Sequence, residues 1–122
     1  FFDKKDYAEA YKYLETCSGI DNSSTGAECA YLSAICLYEM AKYDEAEEKV
    51  FLVSDKFGNY LSWTARSFIT LSDVYVAKDN IFQAKETLKS VIDNYPKEEP
   101  DYNEIVGAAQ EKLNIIDQST NE

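Results

Sequence analysis

Histidine is absent from all 122 residues. With it go the usual general base, the Ser/His and Cys/His nucleophile pairs and every imidazole metal site. Neither a glycine-rich phosphate loop nor a metal-spaced cluster is present, so no cofactor, no metal and no catalysis are expected. Cations are scarce: 12 Lys and Arg against 23 Asp and Glu leave a net charge of -11. Such a surface repels phosphate backbones and anionic lipid over about 8 Å at physiological salt, so no nucleic-acid partner is expected. No apolar run approaches the ~18 residues that span a bilayer, so no direct membrane insertion is expected either. Only two prolines and four glycines interrupt the chain.

Cys17, Cys29 and Cys36 lack C-x-x-C spacing, which excludes a zinc knuckle or a thioredoxin-type motif. Each lies among apolar neighbours. Cys29 and Cys36 share one helix face but stand roughly 10 Å apart along its axis, too far to bridge. The first reading for all three is a small buried hydrophobe; a Cys17–Cys29 contact that oxidises stays open beside it.

What is present is a repeat. The segments starting at Tyr7, Tyr43 and Ile81 superpose without gaps, the second 36 residues after the first and the third 38 after the second. The same offsets align Phe1, Leu37 and Tyr75, then Leu14, Val50 and Leu88, then Cys17, Val53 and Val91, apolar throughout. Each copy divides into two helices joined by a turn short enough to force an antiparallel hairpin. The second helices carry a single apolar stripe, Tyr43, Ala46, Val50, Val53 and Phe57 in one copy and Ile81, Ala84, Leu88, Val91 and Tyr95 in the next. Capping pairs at Asp6 and Glu9, Thr25 and Glu28, Asn80 and Gln83, and Asp101 and Glu104 mark helix starts. The pattern predicts helices near 6–18, 25–41, 43–57, 61–78, 80–95 and 101–117, with Ala34, Ala46, Ser72 and Ala84 at the close crossings within pairs.

These residues resemble the tetratricopeptide-repeat family, whose unit is about 34 residues long. Counting from Ala65, the family's preferred types fall on Phe68, Leu71, Ser72, Tyr75, Ala84, Leu88, Val91 and Pro96. The copy from Ala27 is looser, with Ala30 and Ser33 where larger residues are usual and Gly58 in place of the proline. Valine or cysteine replaces the usual alanine at Cys17, Val53 and Val91, which predicts wider spacing between repeats. The resemblance implies an all-α, right-handed TPR-like superhelix of antiparallel helix pairs. It forms a single domain over 1–122: a partial repeat at 1–22, repeats at 27–58 and 65–96, and a capping helix at 101–117. Glu104, Gln110, Glu111, Asn114 and Gln118 supply the cap with a polar outer face. Phe1 falls two thirds of the way along a first helix, so an apolar N-terminal edge bearing Phe1 and Phe2, with further repeats of a parent chain beyond it, is expected.

By the same resemblance, the first helices of successive repeats line a concave groove. The corresponding positions here are Glu28, Tyr31, Ile35, Tyr38, Glu39, Arg66, Ile69, Asp73 and Val76. The implied partner is a protein or peptide segment, which the acidic surface biases towards basic character. The alternative is a spacer or assembly joint whose groove is filled by the chain's own last helix. Trp63, outside the repeat columns, is expected to staple a connector. The style of the repeats resembles bacterial envelope proteins, which implies a periplasmic or envelope-associated setting, with the cytoplasm as the alternative.

Overall fold

The computed structural model describes residues 6–20 and 23–120. The readings placed on Phe1 and Phe2 lie outside the described residues. Among the described residues six helices follow one another: α1 (Tyr7–Ile20), α2 (Ser24–Glu39), α3 (Tyr43–Phe57), α4 (Leu61–Ala77), α5 (Ile81–Asn94) and α6 (Tyr102–Thr120). Among the described residues there is no strand. Each helix packs on its neighbour in sequence, and α4 also packs on α2 and α6. Two layers result, with α2, α4 and α6 in one and α1, α3 and α5 in the other.

The turns inside the two complete repeats share a geometry that no glycine announces. Ala41 and Asp79 have φ of 60° and 61°. After them, the Lys42 N–H donates to the Leu37 carbonyl and the Asn80 N–H to the Tyr75 carbonyl, each at 2.8 Å. This is a Schellman ending, in which one left-handed residue reverses the chain and satisfies the last helical carbonyls. The next helix begins within two residues, and a hairpin is the only outcome.

Helix starts are mixed. Asn80 Oδ1 accepts the Gln83 N–H at 3.3 Å, as its capping pair predicts. The α2 cap is Ser23, whose Oγ accepts from the Gly26 N–H at 3.3 Å, not Thr25. Two successive serines before Thr25 offer the same chemistry earlier, and the helix takes the earlier one. Lys42 and Tyr60 give α3 and α4 no side-chain cap; Asp44 and Glu45 in the first turn of α3 face its positive end instead.

Ala34, Ala46, Ser72 and Ala84 are fully enclosed at the seams. The Ser72 hydroxyl donates to the Ile69 carbonyl, so this small polar residue brings no unmet hydrogen bond. The repeat columns recur in the core, where Leu14, Val50 and Leu88 are all buried. Packing is uneven along the stack. The largest apolar cluster joins α4, α5 and α6 through Leu88, Val91, Ile105, Ala109 and Leu113, whereas α1 meets α2 over Ala10, Leu14, Cys29 and Cys36.

Cys17 and Cys29 form a disulfide, their Cα atoms 6.0 Å apart, which overturns the reading of all three cysteines as packing residues. The end of α1 packs beside the start of α2, and that pairing brings the two sulfurs together. Only Cys36 is a free, buried thiol. Burial first, and then the charge of Glu39, push it up to about 11.

Candidate interaction groove

The layer of α2, α4 and α6 carries a recess of about 320 Å³. Tyr31, Ile35, Tyr38 and Glu39 reach it from α2, and Arg66, Ile69, Thr70 and Asp73 from α4. Their three- and four-residue spacings keep each set on one helix face. The third wall is α6, through Glu104, Ile105, Ala108 and Lys112.

Ion pairs hold that third wall in place. Lys112 Nζ donates to both carboxylate oxygens of Asp73, at 3.0 and 2.9 Å. Arg66 Nη2 lies 3.1 Å from Glu104, and Arg66 Nε donates to Ser62 Oγ at 3.2 Å. The lining cations are thus matched to lining acids. Glu39, exposed at the end of α2, makes no ion pair among the described residues.

The aromatic lining is anchored. The Tyr31 ring lies 5.6 Å from Trp63, and Tyr38 lies 5.9 Å from Tyr43, centroid to centroid. Burial raises the Tyr31 phenol above its ordinary range, with Arg66 pulling the other way. It raises Tyr38 as well, helped by Asp73. Both hydroxyls therefore remain protonated, and able to donate, at neutral pH.

Of the nine residues singled out by sequence, seven share this recess: Tyr31, Ile35, Tyr38, Glu39, Arg66, Ile69 and Asp73. Glu28 and Val76 do not line it and stand exposed on their helices. The contribution of α6 was missed, because its residues were read as an outward cap. Gln110, Glu111, Asn114 and Gln118 are exposed as a cap requires, yet Glu104 turns to Arg66. The signal that would have found this wall is the spacing of Ile105, Ala108 and Lys112 on one face of α6. Trp63 joins two helices: its Nε1 donates to Ser24 Oγ at 3.2 Å, linking the first turn of α4 to that of α2.

Among the described residues no group of side chains is arranged to hold a metal, and no helix is long and apolar enough to cross a membrane. No buried side-chain polar atom among them lacks a partner. The recess offers surface and hydrogen bonds, with its charges paired except for Glu39.

Comparison with known families matches both parts of the chain. Residues 1–53, which take in α1, α2 and most of α3, match the family model described as anaphase-promoting complex, cyclosome, subunit 3. Residues 64–98, which cover most of α4 and all of α5, match a tetratricopeptide repeat model. No curated protein and no solved structure matches the chain.

Proposed function

We propose that this chain, which belongs to the tetratricopeptide-repeat family, receives a segment of a partner protein in the groove between α2, α4 and α6. Repeats of this family mediate protein–protein contacts and are typically non-catalytic scaffolds. The finer reading is that Tyr31, Ile35, Tyr38, Glu39, Arg66, Ile69 and Asp73 form the contact surface, and that the chain performs no chemistry of its own.

One observation carries this reading: α6 stands beside the groove as a wall and leaves the recess open. A terminal helix lying in the recess would have supported the spacer reading. Rigid aromatic rings supply contact area at small entropic cost, and backing by Trp63 and Tyr43 fixes them before a partner arrives. Glu39 and the net charge of -11 favour basic segments, chiefly by steering. An oxidising compartment suits the Cys17–Cys29 bond.

Because Tyr31 and Tyr38 also support neighbouring rings, replacing them would confuse binding with folding. Ile35→Asp and Glu39→Lys avoid that. A displayed library of random peptides selected against the chain should yield sequences with basic residues beside apolar ones. Either substitution should weaken their binding about tenfold or more with an unchanged circular-dichroism spectrum. Equal binding by parent and variants would remove the groove assignment, and a library that yields no binder would favour the spacer.

A further inference from the structure

The side of α4 turned away from the groove borders a second surface. Between α3 and α5 lies a cavity of about 450 Å³ lined along α4 by Ala65, Phe68 and Leu71, with Phe51 and Val91 at its sides. That volume is within the ordinary range of ligand sites. Phe51 and Leu61 are 44% and 40% exposed there. Val91, bulky where the family prefers alanine, stands in this gap.

Leu61 and Tyr95 border this cavity and also a second one of about 470 Å³, which Tyr60, Trp63, Glu99 and Asp101 complete. The two meet at these residues and are taken together as one trough. It is apolar along the helices and becomes aromatic and acidic where α4 begins and α5 ends.

Charge sets this trough apart from the groove. Its charged lining consists of Glu86 along the helices and Glu99 and Asp101 at the end, with no lysine or arginine. Asp101 accepts the Tyr95 hydroxyl at 2.6 Å, which holds its carboxyl below the usual range. Arg66 approaches Asp101 to 4.0 Å. Glu86 and Glu99 make no ion pair among the described residues. Gln83, Thr87, Ser90 and Asn94 run as an uncharged polar stripe along the α5 side, suited to hydrogen-bonding a peptide backbone.

We propose that this trough docks a second protein segment, one carrying bulky apolar side chains followed by lysine or arginine. The apolar groups fill the space over Phe68 and displace water from Phe51 and Leu61. The cation ends beside Tyr60 and Glu99, whose ring face and carboxylate both attract it, while the Trp63 ring already carries Arg66, 5.8 Å from its centroid. The site is separate from the concave groove and does not rest on that reading.

The test uses two blocked tetrapeptides, two phenylalanines followed by two arginines and the same with two glutamates, titrated into the isotopically labelled chain. Trp63 is the single tryptophan, so its indole N–H resonance is assigned without ambiguity, and because its ring also backs Tyr31 of the groove, the signals of Glu86 and Ser90 decide which site is occupied. The arginine peptide should shift that resonance and the backbone signals of Glu86 and Ser90 while leaving those of Ile35 unmoved. Glu86→Lys combined with Glu99→Lys should weaken it about tenfold or more, and Glu39→Lys should not. Shifts confined to the concave groove, equal binding of the glutamate peptide, or no shift at millimolar peptide would overturn the proposal. Shifts in the trough that appear on diluting the chain alone would overturn it in favour of a second copy as occupant.

Discussion

At one end of the stack α1 meets α2 over a small cluster, Ala10, Leu14, Cys29 and Cys36, and is fastened there by the Cys17–Cys29 bond. Lys49 adds an ion pair to Glu15, at 2.6 Å, that ties α1 to α3. At the other end α6 has no covalent tie but buries Ile105, Ala109, Leu113 and Ile116 against α4 and α5. Both ends solve one problem. Among the described residues α1 and α6 each pack on helices to one side, so each gains its fastening from packed area or from a bond. The contrast predicts that each end gives way to a different insult.

The largest effect is expected at α6. Ile105 is 1% exposed and belongs to the cluster that holds this helix. Ile105→Ala should cost about 2 to 5 kcal/mol in urea unfolding, the usual range for emptying such a site. Hydrogen exchange should then show α6 amides losing protection while those of α2 keep theirs. If α1 loosened first, the two ends would not be fastened independently.

Reducing the disulfide should act at the opposite end. The closed loop is short, with a sequence separation of 12, and the chain-entropy relation gives about 3 kcal/mol for a loop of this order. Cys17→Ser and Cys29→Ser should each produce this loss, and the double variant no more than either, because both remove one bond. Exchange should rise in α1 and spare α6. Cys36, buried and with its thiol raised to about 11, should stay slow to alkylate in all three variants.

Those two fastenings were not equally legible in the sequence. The apolar spacing of Ile105, Ala109, Leu113 and Ile116 shows an amphipathic helix to any periodicity count, and the repeat columns place the helix pairs within a few residues. The disulfide depends on how the end of α1 packs beside the start of α2, which no residue pattern specifies, so the cysteines supported two readings. The same division holds for the candidate surfaces. Tyr31, Ile35, Arg66 and Asp73 followed from repeat position, because position on a helix face is periodic information. The third wall on α6 required knowing how α6 packs on α4. The trough between α3 and α5 is a space, made by what fails to cover Phe51 and Leu61, and sequence periodicity records residues and not gaps.

The smallest effect lies in the turns, where the two halves of the stack repeat one conformation with different residues. Ala41 and Asp79 both hold φ near +60°. There a Cβ crowds the following carbonyl, at a cost of about 1 to 2 kcal/mol for an ordinary L residue. Glycine removes that cost but adds about 0.5 to 1 kcal/mol of backbone freedom to the unfolded chain. Ala41→Gly should therefore stabilise by about 0.5 to 1 kcal/mol, seen as a higher urea midpoint with unchanged slope. Asp79→Gly should gain less, within about 0.5 kcal/mol, because a short polar side chain bonds locally and tolerates the left-handed region. A larger gain at Asp79 than at Ala41 would mean that the second turn is held by something besides its own backbone, and the two halves would then differ in their turns as well as at their ends.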